Sequence, residues 1–242
     1  MKFNMKSIGS FFVVTLIIIL FSYCLGIVMG SKKAFPYQQM WAVKSFFVSP
    51  PLLLFPNIDG ESQRAQFKLF HPVKDIVFIG DSITASGNWQ EIFPAASISN
   101  RAIFGDKTSD ILERIDTILL TRPKKAFIMV GINDLKNGRN VNLTFKNYIL
   151  IIEKLKVNNV QVIVISALEC EKVKCGWVLF SVRELNKKIK AYANNNHITY
   201  VDLNESFSTI EDGLRKENTE DGIHLLGNQY LIWAKLIKPY IV

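Results

Sequence analysis

The chain has 242 residues, of which 49% are hydrophobic and 21% charged, and 29 Lys+Arg against 21 Asp+Glu give a net charge of +8. That length suits one mid-sized domain with an appendage, and the composition excludes a disordered or low-complexity protein. With 3 cysteines, 13 glycines and 8 prolines, the chain is neither a disulfide scaffold nor collagen-like.

The first element is apolar. No charged residue occurs from Ser7 to Gly30, and Lys2, Lys6, Lys32 and Lys33 flank the run. About twenty such residues span roughly 30 Å of hydrocarbon. The segment is long and apolar all round, which disfavours a buried core helix. Residues 1–33 are expected to be an uncleaved single-span membrane anchor. A cleaved signal peptide stays open, since Val28-Met29-Gly30 is a tolerable cleavage site. The lysine balance favours the amino terminus inside and the domain outside. Cys170 and Cys175 could close a small disulfide loop there, although two free thiols fit the sequence as well. The four flanking lysines supply half of the net charge, so the basic balance gives little support for nucleic-acid binding, and none is expected.

Residues 34–73 read as a linker or accessory segment. Ser49-Pro50-Pro51 and Phe55-Pro56 break regular structure, yet Trp41, Phe46 and Leu52-Leu53-Leu54 are too apolar for a solvated tether. The main domain is expected over 74–242. Asp75 to Gly80 and Ala126 to Gly131 are short apolar runs ended by glycine, the pattern of buried parallel strands. Ala96–Asn100 is a weaker strand, and Val160–Ser166 and Ile198–Asp202 are further ones. Between them, helical spacing marks Ser109–Leu120, Leu143–Val157 and Val182–Asn194, with a last helix over Asn228–Ile237. This alternation predicts an α/β fold with a parallel sheet covered on both faces.

Ligands of such sheets bind beyond the carboxyl ends of the strands, so the residues following each strand matter most. They are Gly80-Asp81-Ser82, Asn100-Arg101 through Gly105-Asp106, and Gly131-Ile132-Asn133-Asp134; Asp221-Gly222-Ile223-His224 precedes the last helix. A serine at a strand end can present its hydroxyl at the sheet edge, but it needs a base to act as nucleophile. Of three histidines, His71 and His197 read as surface or packing residues. His224 has a carboxylate three residues earlier, Asp221, able to fix its tautomer. Acyl transfer also needs oxyanion donors. The Ser82 and Gly105 backbone N–H groups and the Asn133 amide are the candidates. Asp81 and Asp134 read as caps or loop braces. No metal-ligand cluster or phosphate-cradling loop is evident, so no cofactor or metal is expected.

This set of motifs resembles the SGNH hydrolase superfamily, the GDSL esterases and lipases. The resemblance rests on Gly80-Asp81-Ser82, Gly105, Gly131-x-Asn133-Asp134 and Asp221-x-x-His224. Within that family the style of Gly80–Trp89 and Asn100–Asp106 is closest to platelet-activating-factor acetylhydrolase catalytic subunits and carbohydrate esterases. Ile83 and Ala102 are minor departures. The resemblance implies a three-layer α/β/α flavodoxin-like fold. It also implies a catalytic set of Ser82, His224 and Asp221 with an oxyanion hole of Ser82, Gly105 and Asn133. The expected activity is hydrolysis of short acyl, chiefly acetyl, esters of a carbohydrate or lipid. An acyltransferase acting on envelope polysaccharide and a non-catalytic tethered binding protein are the alternatives.

Overall fold

A computed structural model describes residues 58–241. The expected membrane span at residues 7–30 and the first part of the expected linker lie outside them. Among the described residues, no helix is long and apolar enough to cross a membrane.

Runs of β-branched and apolar residues too short for buried helices form the sheet. These strands are β1 (Ile76–Gly80), β2 (Ile98–Asn100), β3 (Lys125–Met129), β4 (Gln161–Ile165) and β5 (Thr199–Val201), in the order β2-β1-β3-β4-β5. Every pairing is parallel, with Ile76 beside Ile98, Gly80 beside Met129 and Ile128 beside Val164. This is the flavodoxin-like strand order, which reverses direction between β1 and β3. A small hairpin of β6 (Ser208–Thr209) and β7 (Gly213–Leu214) stands apart from the sheet.

The helices are α1 (Ile58–Leu69), α2 (Ser82–Ala85), α3 (Trp89–Ile92), α4 (Thr108–Glu113), α5 (Ile115–Leu119) and α6 (Ile132–Lys136). They continue with α7 (Val141–Val157), α8 (Lys172–Asn195), α9 (Asn204–Phe207) and α10 (Gln229–Ile241). One face of the sheet is aromatic. Phe78 stacks on Trp89 of α3 at 4.4 Å and on Phe127 at 4.9 Å, and Trp89 meets Trp233 of α10 edge-on at 4.8 Å. Side chains alternate along a strand, so Val77 and Ile79 point to the opposite face. There α4, α7 and α8 pack side by side, and the Tyr148 hydroxyl donates to the Ile128 carbonyl at 3.0 Å. The result is the expected three-layer α/β/α arrangement.

Two helices differ from the sequence reading. The expected helix over Ser109–Leu120 is two short ones, because Arg114 leaves helical geometry (φ −105°, ψ 11°) while its side chain turns inward. The expected helix at Val182–Asn194 begins at Lys172, with a kink at Cys175, whose sulfur is joined to that of Cys170. In the segment read as a linker, α1 is an ordered helix against the domain. Arg101 lies over the Phe67 ring at 4.4 Å and donates to the Phe70 carbonyl at 2.8 Å.

Candidate active site

Strand β1 turns directly into α2, and glycine is needed at the join. A Cβ on Gly80 would overlap the Thr84 hydroxyl and the Met129 carbonyl. Asp81 caps α2 by accepting the Ile83 N–H at 3.0 Å, which makes Ser82 the first helical residue. A first-turn N–H has no partner within its own helix, so α2 does not use that of Ser82, which directly follows β1 and its cap. Distant side chains hold the short helix in place. The Tyr230 hydroxyl donates to the Ile83 carbonyl at 2.7 Å, the Trp89 indole to Thr84 at 2.9 Å, and the Asn100 amide to Ala85 at 3.1 Å.

The Ser82 Oγ lies 2.8 Å from His224 Nε2, and His224 Nδ1 lies 2.6 Å from Asp221 Oδ2. Asp221 Oδ1 accepts the backbone N–H groups of Ile223 at 2.9 Å and His224 at 2.8 Å. One carboxylate thus shapes the loop with one oxygen and orients the imidazole with the other. Partial burial pushes the Asp221 carboxyl up. The hydrogen bonds from the His224 ring and from the two N–H groups outweigh this and hold it well below the usual carboxylate range. The ionised carboxylate accepts from Nδ1–H, leaving Nε2 to accept from the Ser82 hydroxyl. Beneath the loop, the Glu171 N–H donates to the Gly222 carbonyl at 2.8 Å.

After β2, the chain makes a turn in which the Asp106 N–H donates to the Ile103 carbonyl at 3.2 Å. Gly105 occupies its third position at φ 78°, a left-handed conformation that favours glycine. Its N–H has no partner among the described residues. The near end of the turn is tied to β1, with the Ile103 N–H donating to the Gly80 carbonyl at 3.1 Å. At the end of β3, Asn133 sits in α6 and its Nδ2 donates to the Asp106 carbonyl at 3.2 Å. Gly105 and Asn133 therefore stand at the ends of the two strands that flank β1.

Three buried carboxylates lie behind this edge. Burial, with repulsion from Asp106 and Asp134, raises the Asp81 carboxyl to about 7 against the pull of its Ile83 hydrogen bond. Asp134 accepts the Thr108 N–H at 2.8 Å and hydroxyl at 2.6 Å, bracing α6 against α4, and burial raises its pKa too. Asp106 is paired with Arg114, whose Nε donates to it at 2.8 Å. An open groove of about 710 Å³ borders the site, lined by Ser86, Asn88, Glu91, Leu225, Tyr230 and Leu231. It begins one helical turn after Ser82 and next to His224.

All five expected site residues thus lie at one sheet edge, three of them in a hydrogen-bonded line. His71 and His197 are exposed. Sequence reasoning did not find the supports Tyr230, Arg114 and Thr108, whose partners are remote in the chain and which no periodicity marks.

Residues 78–230 match the family model described as GDSL-like lipase/acylhydrolase. Among solved structures, a GDSL-like lipase from Bacteroides thetaiotaomicron VPI-5482 is 27% identical with a TM-score of 0.65, covering 76% of this chain and 97% of its own. The acetyl xylan esterase AlAXEase is 21% identical with a TM-score of 0.61, covering 69% of this chain and 99% of its own, a likeness of fold. Among curated proteins, an N-acylneuraminate cytidylyltransferase of Streptococcus agalactiae serotype V is 24% identical over 185 residues, or 71% of this chain. The chain spans 41% of that relative's length.

Proposed function

The chain belongs to the GDSL-like lipase/acylhydrolase family and is a hydrolase of the esterase type, and from that premise we propose that it is a membrane-anchored serine esterase removing short acyl groups, chiefly acetyl, from a carbohydrate or lipid. The observation that carries this reading is the unbroken line from Ser82 through His224 to Asp221, with steps of 2.8 and 2.6 Å. In the proposed mechanism, Ser82 Oγ attacks the ester carbonyl while His224 Nε2 takes its proton. Asp221 stabilises the resulting imidazolium. The Ser82 and Gly105 N–H groups and the Asn133 amide receive the negative charge that develops on the carbonyl oxygen. His224 then returns the proton to the leaving alcohol. A water molecule, deprotonated by His224, attacks the acyl-enzyme and releases the acid.

The neighbouring groove sets polar Ser86, Asn88 and Glu91 beside apolar Ile92, Leu225 and Leu231, a lining compatible with either a carbohydrate or a lipid leaving group. The name of one similar protein, an acetyl xylan esterase, supports the carbohydrate side of the proposal. Anchoring rests on the uncharged run from Ser7 to Gly30 and its flanking lysines, whose balance also supports an extracytoplasmic domain.

The test is hydrolysis of p-nitrophenyl acetate, butyrate and octanoate and of acetylated polysaccharides by the purified chain. The proposal expects kcat/KM to fall from acetate to octanoate and acetate to be released from at least one polysaccharide. A preference for octanoate would overturn the short-acyl assignment. Loss of free acetate in favour of a new sugar ester, with a sugar acceptor present, would make the enzyme a transferase.

A further inference from the structure

Helix α1 precedes the residues that match the family, 78–230, yet it reaches the turn that carries Gly105. Arg64 of α1 pairs through Nη2 with Asp106 Oδ1, and Arg114 Nε donates to Asp106 Oδ2 at 2.8 Å. The Asp106 side chain is fully buried, so its charge depends on these two guanidinium groups. Its backbone is equally committed. The N–H closes the Ile103–Asp106 turn at 3.2 Å, and the carbonyl accepts Asn133 Nδ2 at 3.2 Å. Asp106 therefore controls both neighbours at once, with Gly105 immediately before it and the Asn133 amide held on its carbonyl. Helix α1 has its own anchor in Arg101, which is buried, lies over the Phe67 ring and donates to the Phe70 carbonyl. Arg64 thus reaches the turn from a fixed base.

We infer that Arg64 is a positioning residue of the active site, and that α1 belongs to the catalytic unit although it precedes the residues that match the family model. This rests on the reading of Gly105 and Asn133 as oxyanion donors. Without Arg64, the carboxylate keeps only the Arg114 side of its clamp, and the turn and the amide leaning on it lose their common reference. Displacements well under 1 Å at such donors lower turnover measurably.

The test is a double-mutant cycle in the full chain, with active enzyme counted by fluorophosphonate titration so that an unfolded fraction does not register. Arg64→Ala is expected to lower kcat for p-nitrophenyl acetate about ten-fold while KM stays within about two-fold. In an Asn133→Ala background the same change should cost clearly less than in the wild type, because the part of its effect that passes through that amide is already lost and only the part through the Gly105 turn remains. Arg64→Lys, which keeps the charge, should restore part of kcat. If Arg64→Ala does not fold, Arg64→Gln enters the same cycle. An unchanged kcat per active site, or losses that multiply independently of Asn133, would overturn the inference. A wild-type chain without Ser82-dependent hydrolysis would remove the esterase reading and this one with it. A Ser82-dependent enzyme indifferent to Arg64 would remove this one alone.

Discussion

Ser82 Oγ and His224 Nε2 lie 2.8 Å apart although 142 positions separate them in the chain. The sheet makes this possible. Ser82 opens the helix after β1, and His224 sits in the loop just ahead of α10. That helix packs its Tyr230 hydroxyl back onto the Ile83 carbonyl at 2.7 Å. The proposed nucleophile therefore sits on a helix tied to α10, and the proposed base on the loop that leads into α10.

Asp221 divides its work between its two oxygens, and the difference can be measured. In Asp221→Asn the amide oxygen can still accept the Ile223 and His224 N–H groups, so the loop should keep its shape. An NH₂ group would then oppose Nδ1, favouring the tautomer that cannot accept the Ser82 proton. Turnover of p-nitrophenyl acetate should fall on the order of 10³–10⁴-fold with little change in thermal stability. Activity within a few-fold of wild type would remove Asp221 from the mechanism.

Asn133 should act on the transition state and hardly at all on the ground state. Asn133→Ala is expected to cost about 2–4 kcal/mol of transition-state stabilisation, expressed in kcat. Steady-state kinetics separate the parameters; an effect confined to KM would assign Asn133 to substrate binding.

Asp81 yields a prediction about stability and pH. Its carboxyl titrates near 7 in the folded chain, against an ordinary 3.8. Between these values the unfolded chain has lost the proton while the folded chain still holds it. This site therefore lowers stability progressively as pH rises from about 4 to 7, and its cost is constant above 7. Asn can serve the same cap without ionising. Urea unfolding should show Asp81→Asn gaining on wild type across that window, by roughly 1–3 kcal/mol at pH 8. A gap independent of pH would mean that Asp81 is ionised throughout.

The inner strands were legible because burial on both faces turns them into continuous apolar runs such as Ile76–Ile79 or Ala126–Met129. Once the strands were placed, the rule that chemistry gathers beyond their carboxyl ends picked out Ser82, Gly105 and Asn133. The Asp-x-x-His spacing supplied the rest. Helix α1 could not be read in this way. Its sequence, IDGESQRAQFKL, has no strong apolar stripe, and its place depends on contacts with Arg101 and Asp106 that span 31 and 42 positions. The break at Arg114 was hidden for a related reason. It coincides with a side chain turned toward Asp106 in an otherwise helical run. Contacts between remote side chains leave no local period.

The serine hydroxyl is the centre of the account, and removing it is the most direct measurement. Ser82→Ala, assayed beside the wild type with p-nitrophenyl acetate and checked for fold by circular dichroism, should retain the wild-type spectrum. Its hydrolysis should fall at least about 10³-fold, toward the uncatalysed background. A well-folded Ser82→Ala protein that turns over the ester at the wild-type rate would contradict the account.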